Sequence, residues 1–148
     1  KLTNVLIQEK YDSIIVLSPM GELIARYDST NPFPFDRTAI KGKKENSDNL
    51  LEVNGYRIRT GLCFEELKVK NFHGESDFII GSVNNQFFDH TSGLDLVSQF
   101  SRLIAAENKK YFVRASNTGI TQIVDPYGNV IKKLPPHKPG ILIENIYI

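Results

Sequence analysis

The sequence predicts a mixed α/β fold in a single domain that covers residues 1–148. Apolar runs of strand length, separated by turn residues, outnumber the helical segments along the chain. One strong helix pattern also lies between two strand patterns from Phe78 to Ala115, an order that is typical of a crossover between parallel strands. With 148 residues, of which 41% are hydrophobic and 24% charged, the composition is that of a globular protein with one core.

Charge and cysteine content argue against several classes of function. The 18 basic and 17 acidic residues leave a net charge of +1, so no basic excess indicates a nucleic-acid partner. No run approaches the ~18 apolar residues that a membrane-spanning helix requires, and no signal peptide opens the chain. The single cysteine excludes an internal disulfide and a multi-cysteine zinc site. Because the chain begins with Lys1 rather than Met, we expect it to be a piece of a longer protein.

The first half of the chain contains two predicted hairpins. Apolar runs on either side of Pro19-Met20-Gly21 predict the first, from Ser13 to Tyr27. The segment from Asp28 to Asn49 is rich in proline, lysine, asparagine and serine and predicts a long loop of a kind that often carries function. The second hairpin turns at Asn54-Gly55, a dipeptide that tolerates the positive φ angles of a type I′ turn.

The second half predicts strands on either side of one helix. A β-branched run from Phe78 to Val83 predicts a buried strand. The helix is predicted between Thr91 and Lys110, with Ser92 and Asp95 in a capping arrangement. Its apolar face consists of Val97, Phe100, Leu103 and Ile104. The last predicted strands are Tyr111–Ala115, Ile120–Val124, Asn129–Leu134 and Gly140–Ile148, with a turn at Asp125-Pro126-Tyr127-Gly128.

Cys63 is the first candidate catalytic residue, because it is the only thiol and follows a predicted strand that ends near Gly61. A nucleophile needs exposure at such a turn and a neighbour that lowers its thiol pKa from ~8.5. The alternative is that Cys63 is a small buried hydrophobe, as lone cysteines on apolar strands usually are. Nearby carboxylates raise a thiol pKa, so Glu65 or Glu66 can serve as acid/base groups only beside a cation. Otherwise we expect Glu66 to point to solvent and Glu65 to pair with a surface base.

The histidines and the polar segments between strands give weaker signals. His73, His90 and His137 have no spacing that places two of them on one helix face, so no metal site is predicted. His90 is the candidate for a Cys–His dyad, since such pairs meet in space rather than in sequence, although a surface role is the simpler interpretation. Between two apolar strands, the segment Arg114–Gly119 predicts a tight turn in which Gly119 supplies a positive φ.

Taken in order, these segments resemble the nitrilase (carbon–nitrogen hydrolase) superfamily. Gly61-Leu62-Cys63-Phe64-Glu65 resembles its nucleophile segment, and Asn84-Asn85-Gln86-Phe87-Phe88 resembles the Asn-Asp-x-Trp-Phe segment after the next strand. The helix from Arg102 to Glu107, the strand from Phe112 to Ile120 and the Asp125–Gly128 turn also match the family. The motif Arg-Ala-x-Asn-Thr-Gly-Ile is most similar to the C-terminal part of the catalytic domain in the apolipoprotein N-acyltransferase branch.

The resemblance implies part of a four-layer α-β-β-α sandwich, lacking its N-terminal portion, and a Glu-Lys-Cys triad. Cys63 is then the nucleophile that forms an acyl thioester, with Glu65 beside it. Phe64 supplies an oxyanion-hole amide, and Asp36 and Asn84 line the site. In the acyltransferase branch the acyl donor is a membrane phospholipid and the acceptor is the N-terminal amine of a lipoprotein. The implied location is the periplasmic domain of a membrane enzyme, with no cofactor and no metal.

Several positions depart from the family pattern. The general-base glutamate belongs to a segment before this chain begins. Asp28 stands at the position of the lysine, where its charge would oppose that of an oxyanion. Only Asp36 can replace the glutamate of the Pro-Phe-Gly-Glu loop, and Asn85 and Phe87 replace the usual Asp and Trp. We therefore expect the chain in isolation to be catalytically inactive.

Three functions are compatible with these observations. The first is acyl transfer through a Cys63 thioester, and the second is hydrolysis by an amidase or nitrilase-type enzyme, which would be cytoplasmic. The third is a catalytically inactive domain kept as a structural or interaction module. The sequence leaves open which acyl donor and acceptor are used and whether the chain forms a homo-oligomer.

Overall fold

The computed structural model describes residues 11–31 and 48–148. Within them lie a two-stranded sheet and a six-stranded mixed sheet, which confirms the predicted mixed α/β class. Among the described residues no helix combines the length and the apolar character needed to cross a bilayer. The elements are β1 (Ser13–Leu17), β2 (Leu23–Asp28), β3 (Leu50–Val53), β4 (Tyr56–Leu62), β5 (Phe78–Val83), α1 (Gly93–Asn108), β6 (Phe112–Ser116), β7 (Thr121–Val124) and β8 (Val130–Leu134), with 3-10 turns at Cys63–Leu67, Val69–Phe72 and Gln86–Phe88.

Both predicted hairpins are present. Strands β1 and β2 pair antiparallel and form the small sheet, with Gly21 at a positive φ of 85° in the turn. Strands β3 and β4 pair antiparallel around Asn54 and Gly55, whose φ angles are 52° and 84°. Two consecutive positive φ angles are what a type I′ turn requires, so the local sequence specifies this turn.

The large sheet has the strand order β3-β4-β5-β6-β7-β8. Strands β4, β5 and β6 are parallel, and the remaining neighbours are antiparallel. Helix α1 is the crossover between β5 and β6 that the strand–helix–strand pattern predicts. Because parallel strands end at the same edge of a sheet, the residues that follow β4, β5 and β6 meet there. Those residues are Cys63, Asn84 and Asn117.

Two apolar clusters cover opposite faces of the large sheet. One is buried beneath α1 and consists of Phe72, Ile79, Ile104, Ala105, Phe112 and Val124. The other joins Tyr27 of the small sheet to Leu51 and Ile58, with Phe78 and Ile80 packed against it. Since side chains alternate along a strand, Ile79 lies on one face of β5 while Phe78 and Ile80 lie on the other. The β1–β2 hairpin therefore packs on the face away from α1.

A pair of glycines allows large side chains to lie directly on this sheet. Gly61 of β4 and Gly81 of β5 are partners in the parallel register. A β-carbon at Gly61 would clash with the ring of Phe72, and one at Gly81 would clash with the Glu66 carboxylate and lie 2.8 Å from the ring of Phe112. Both positions therefore hold glycine because other side chains occupy the space that a β-carbon would need.

Two details of the predicted helix are wrong. Ser92 makes no side-chain capping bond; the Oγ1 of Thr91 instead accepts a hydrogen bond from the Gly93 amide at 3.1 Å. Leu103 is 53% exposed rather than part of the core. At about 100° of rotation per residue, Leu103 lies nearly opposite the centre of the buried face. That face consists of Leu94, Val97, Ser98, Ser101, Ile104 and Ala105.

The predicted final strand, Gly140–Ile148, does not form in the structure. Ile141 and Ile143 are 86% and 79% exposed, although their alternation is typical of a strand. Lys132 of β8 donates from Nζ to the carbonyl of Ile143 at 2.7 Å and pairs with Glu144 at 2.9 Å. A strand requires a neighbouring strand with which to share its backbone hydrogen bonds, and the apolar pattern alone does not supply one.

Candidate active site

Cys63 lies directly after β4, at the edge where the parallel strands end. It begins the 3-10 turn Cys63–Leu67 with a φ of 48°, a left-handed conformation that residues other than glycine and asparagine rarely adopt. Such a conformation costs about 1–3 kcal/mol and is found where the surrounding structure imposes it. The side chain is half-buried, and its Sγ lies 3.8 Å from the carbonyl oxygen of Asn84. The sulfur is therefore held at the rim of the sheet and not inside either apolar cluster.

The electrostatic environment of Cys63 favours the protonated thiol. Burial raises its pKa above the usual value, and the carboxylates of Asp12 and Glu66 raise it further. Main-chain hydrogen bonding at Asn84 and Phe64 lowers the pKa but does not outweigh burial. Among the hydrogen bonds of residues 11–31 and 48–148, none joins the sulfur to a lysine, arginine or histidine side chain. A base is therefore needed to generate the thiolate at neutral pH.

Glu65, a predicted catalytic residue, is buried and receives hydrogen bonds on both carboxylate oxygens. It is 1% exposed, and its Oε2 accepts the amide of Leu62 at 2.9 Å, in the residue just before the cysteine. Five bonds to Oε1 come from the Tyr27 hydroxyl (2.8 Å), Ser29 Oγ (3.0 Å), the Thr30 amide (2.9 Å), Thr30 Oγ1 (3.2 Å) and the Asn31 amide (3.2 Å). Glu65 therefore ties the segment after β2 to the cysteine turn, in place of the surface ion pair that the sequence suggested.

Asp28 does not face Glu65, whereas its neighbours on both sides do. Its Oδ1 accepts hydrogen bonds from Ser13 Oγ and Arg26 Nε, each at 2.6 Å, within the β1–β2 hairpin. In an extended chain, successive side chains point in opposite directions, so Asp28 points away from the side on which Tyr27 and Ser29 reach Glu65. Its charge is engaged by Ser13 and Arg26 within the hairpin.

Two predicted residues remain, Phe64 and Asp36. The main chain of Phe64, the residue directly after the cysteine, lowers the pKa of the Cys63 thiol, which supports its amide as a candidate oxyanion donor. Asp36 lies outside the described residues. Lys68, which the sequence did not single out, brings a positive charge next to the cysteine turn. Its Nζ donates to Asn31 Oδ1 at 2.6 Å and lies 5.7 Å from the centroid of the Phe64 ring.

The sequence suggests that Glu66 points to solvent, but in the structure it is buried. It forms an ion pair with Arg114. The Nε of Arg114 donates to the two carboxylate oxygens at 2.9 and 3.2 Å. Burial raises the pKa of Glu66, and the Arg114 charge and hydrogen bond lower it in part. Arg114 also donates to the carbonyl of Ile120 and to Asn85 Oδ1, the latter at 2.9 Å. This ion pair crosses β5 over the space that Gly81 leaves free.

Asn85 and Asn117 extend this network to the edge of the sheet. The Asn85 amide donates to Asn117 Oδ1 at 3.0 Å, and Asn117 Nδ2 donates to Asn84 Oδ1 at 2.7 Å. Ser116 Oγ donates to Asn85 Oδ1 at 2.8 Å and accepts the amide of Gly119 at 3.0 Å. Gly119 does not adopt the positive φ that the sequence suggested, and a β-carbon there would lie 2.5 Å from Asn85 Oδ1 and 2.8 Å from Ser116 Oγ. The network therefore fixes Asn84, whose carbonyl contacts the sulfur.

Sequence reasoning identified Asn84 but missed Asn85, Glu66 and Arg114 as parts of one network. The only available signal was that each polar residue follows or interrupts a predicted buried strand. His90, the candidate for a dyad with Cys63, lies elsewhere on the rim beside Asp89 and His137.

Comparison with known proteins identifies the family. The family model described as carbon-nitrogen hydrolase matches residues 3–147. The apolipoprotein N-acyltransferase of Aquifex aeolicus is 32% identical over 146 residues, which cover 91% of this chain and 31% of the relative. That of Pseudomonas paraeruginosa is 29% identical over 96 residues, covering 63% of this chain and 19% of the relative. The chain thus spans less than a third of the length of these relatives.

Solved structures of low sequence identity share the fold. A carbon-nitrogen hydrolase from Helicobacter pylori superposes with a TM-score of 0.72 at 11% identity, covering 84% of this chain and 52% of that one. An amidase of the nitrilase superfamily from Nesterenkonia superposes with a TM-score of 0.64 at 16% identity, covering 81% and 49%. The order of motifs, the sheet topology and the match over almost the whole chain agree. This chain therefore belongs to the carbon-nitrogen hydrolase family.

Proposed function

We propose that Cys63 is the nucleophile of an acyl transfer that passes through a thioester. The donor is a phospholipid acyl ester, and the acceptor is the N-terminal amine of a lipoprotein, at the periplasmic face of a membrane. Similarity to apolipoprotein N-acyltransferases over most of the chain supports this choice among the reactions of the family. Because the chain covers only part of those relatives, the activity of the whole protein is itself part of the proposal.

In the first half-reaction, Sγ of Cys63 attacks the acyl carbonyl carbon of the donor. The C–S bond forms, the ester C–O bond breaks, and the thiol proton is transferred to the departing alcohol. The Phe64 amide, whose main chain already reaches the sulfur, would donate to the oxygen that becomes negative. In the second half-reaction the amine nitrogen attacks the thioester, the C–N bond forms, and the sulfur leaves and recovers a proton. Splitting the transfer into two steps is the usual benefit of covalent catalysis.

Neither carboxylate of the cysteine turn is proposed as the proton acceptor in this scheme. Glu65 accepts hydrogen bonds on both carboxylate oxygens, and Glu66 is occupied by Arg114. We propose that Glu65 positions the cysteine turn instead of exchanging protons. Lys68 contacts Asn31 and lies over the Phe64 ring, and it is the candidate for partial stabilisation of the oxyanion.

The observation that supports the proposal most directly is the placement of Cys63. A left-handed cysteine that is half-buried at the ends of parallel strands is strained, and strain of this kind concentrates at functional sites. The polar network on β5 and β6 fixes the neighbouring Asn84 carbonyl. A cysteine with only a packing role would require neither feature.

The test is acylation of the 148-residue chain with a fluorescent phospholipid or an activated acyl ester, followed by intact mass measurement. Since Cys63 is the only cysteine, an adduct that hydroxylamine removes must be its thioester. Cys63→Ala is the matched control and must remain unlabelled. Absence of any adduct on the wild-type chain, and on a longer form that includes the flanking segments of its gene, would refute acyl transfer.

The fate of the adduct separates transfer from hydrolysis. If a peptide with an N-terminal S-diacylglyceryl cysteine accelerates loss of the thioester and becomes N-acylated, the reaction is acyl transfer. Release of free acid at a rate that is independent of the peptide identifies an amidase-type hydrolase instead. A chain that is never acylated in any form is an inactive module.

A further inference from the structure

A cluster of three potential metal ligands lies in the segments that follow β5 and β8. Asp89 and His90 follow the 3-10 turn Gln86–Phe88, and His137 lies in the segment after β8. One ligand atom from each side chain lies within 4.8 Å of the other two. We propose that Asp89, His90 and His137 form a binding site for a divalent transition-metal ion such as Zn²⁺. This proposal does not depend on the proposed function.

The distances between the ligand atoms are close to those that zinc imposes. His137 Nε2 lies 3.1 Å from Asp89 Oδ1, and His90 Nε2 lies 3.7 Å from Asp89 Oδ2. Zinc binds imidazole nitrogen and carboxylate oxygen at about 2.0–2.2 Å, which in a tetrahedron separates two ligand atoms by about 3.3–3.5 Å. Because the two contacts use different oxygens of Asp89, coordination of one ion requires the imidazoles, which are exposed to solvent, to turn toward a common point. The fourth position would be taken by water.

The two imidazoles are already brought together although they are 47 positions apart in sequence. Their ring centroids are 5.3 Å apart with an angle of 12° between the planes. Both residues have left-handed main chains, with φ of 58° and 60°, and the His137 amide donates to the carbonyl of Thr118 at 3.2 Å. The side chain of His90 is largely exposed and that of His137 is half-exposed, so an ion can enter from solvent without opening the core.

The donor set determines which ions the site would select. Two imidazoles with one carboxylate suit Zn²⁺, Cu²⁺ and Ni²⁺, whereas Mg²⁺ and Ca²⁺ prefer sites made entirely of oxygen. A bound ion would connect the segment that follows β5 to the segment that follows β8. The first of these segments also carries Asn84 and Asn85, so the ion would restrain the loop that contacts Cys63.

Metal binding is measured directly on the 148-residue chain. The Cys63→Ala variant serves as the background throughout, so that the thiol cannot contribute a ligand. After treatment with a chelator, the protein is titrated with Zn²⁺ by calorimetry, and its melting temperature is followed with and without the ion. Co²⁺ substitution provides a visible absorption spectrum that reports tetrahedral coordination. We expect one ion per chain and a melting temperature that rises with Zn²⁺ concentration.

Variants at the ligands decide whether the cluster is responsible. His90→Asn and His137→Asn remove the imidazole while keeping a residue that tolerates the left-handed conformation. Loss of an outer-shell partner already weakens metal binding about 10–100-fold, so loss of a ligand should weaken it at least tenfold. The matched control is His73→Asn, since His73 pairs with Glu107 at 3.2 Å and belongs to no such cluster. Its affinity for Zn²⁺ should be unchanged.

Three results would overturn the proposal. The first is absence of Zn²⁺ binding in the Cys63→Ala background, and the second is equal binding by Mg²⁺. The third is an affinity of both ligand variants that matches the affinity of His73→Asn. Melting temperatures in the absence of metal show that each variant is folded, so weaker binding cannot be confused with unfolding.

Discussion

Replacing Arg114 by methionine tests whether the buried polar network holds the site together. Arg114 is fully buried and donates hydrogen bonds to Glu66, Ile120 and Asn85. The variant leaves the Glu66 carboxylate buried without its cation, which costs about 3–5 kcal/mol in comparable pairs. Loss of the donor to the Ile120 carbonyl adds about 1–3 kcal/mol, whereas Asn85 Oδ1 keeps the hydrogen bond from Ser116 Oγ. We therefore expect Arg114→Met to lose at least about 4 kcal/mol of unfolding free energy, a large part of the 5–15 kcal/mol typical of a domain.

The measurement is urea unfolding followed by circular dichroism, with linear extrapolation to water. A double variant, Glu66→Met with Arg114→Met, removes both charges and should cost clearly less than the sum of the two single variants. Arg57→Met provides the matched control because Arg57 pairs with Glu75 at the surface, where a salt bridge contributes about 0–1 kcal/mol. If Arg114→Met costs no more than Arg57→Met, the reasoning is refuted.

Three further predictions concern the cysteine turn and the sheet beneath it. Because burial raises the pKa of Cys63, its alkylation by iodoacetamide should speed up with pH through a midpoint above the ~8.5 of an exposed thiol. A lower midpoint would contradict this assignment. Tyr27→Phe removes one buried hydrogen bond to Glu65 and should lower the unfolding free energy by about 1–2 kcal/mol in urea titrations; a neutral effect would indicate that the other donors suffice. Gly61→Ala should lower the melting temperature, because its β-carbon would overlap the ring of Phe72 and overpacking costs about 1–3 kcal/mol. An unchanged melting temperature would show that the ring moves freely.

The sequence predicted the elements that local chemistry determines. The Asn54-Gly55 turn, the strand Phe78–Val83 and the crossover helix that follows it were all correct, because turn residues and apolar periodicity act over a few positions. The same reasoning failed for Gly140–Ile148, where the apolar alternation is present but no strand within residues 11–31 and 48–148 pairs with it. Strand formation depends on a neighbour that the segment itself does not encode.

The candidate site was predictable only as separate pieces. Cys63 and Asn84 could be identified because each follows a predicted strand, yet nothing local indicated that Glu66 would meet Arg114 across β5. Gly119 shows the same limit: a glycine in a turn suggests positive φ, whereas here the side chains of Asn85 and Ser116 approach the position of a β-carbon. Spacing likewise gave no sign that His90 and His137 stack, because their proximity arises from the return of the chain after β8.

The hydrogen bonds of Glu65 have a consequence for local opening of the protein. The β1–β2 hairpin shares no strand pairing with the large sheet, but Tyr27, Ser29 and Thr30 at its end all bond the carboxylate whose other oxygen holds the Leu62 amide. Detachment of the hairpin would therefore remove these donors from Oε1 of Glu65, next to the turn that carries Cys63. Whatever dislodges that hairpin, whether a protease, a detergent or a partner molecule, would leave a buried carboxylate beside the cysteine turn without those hydrogen bonds.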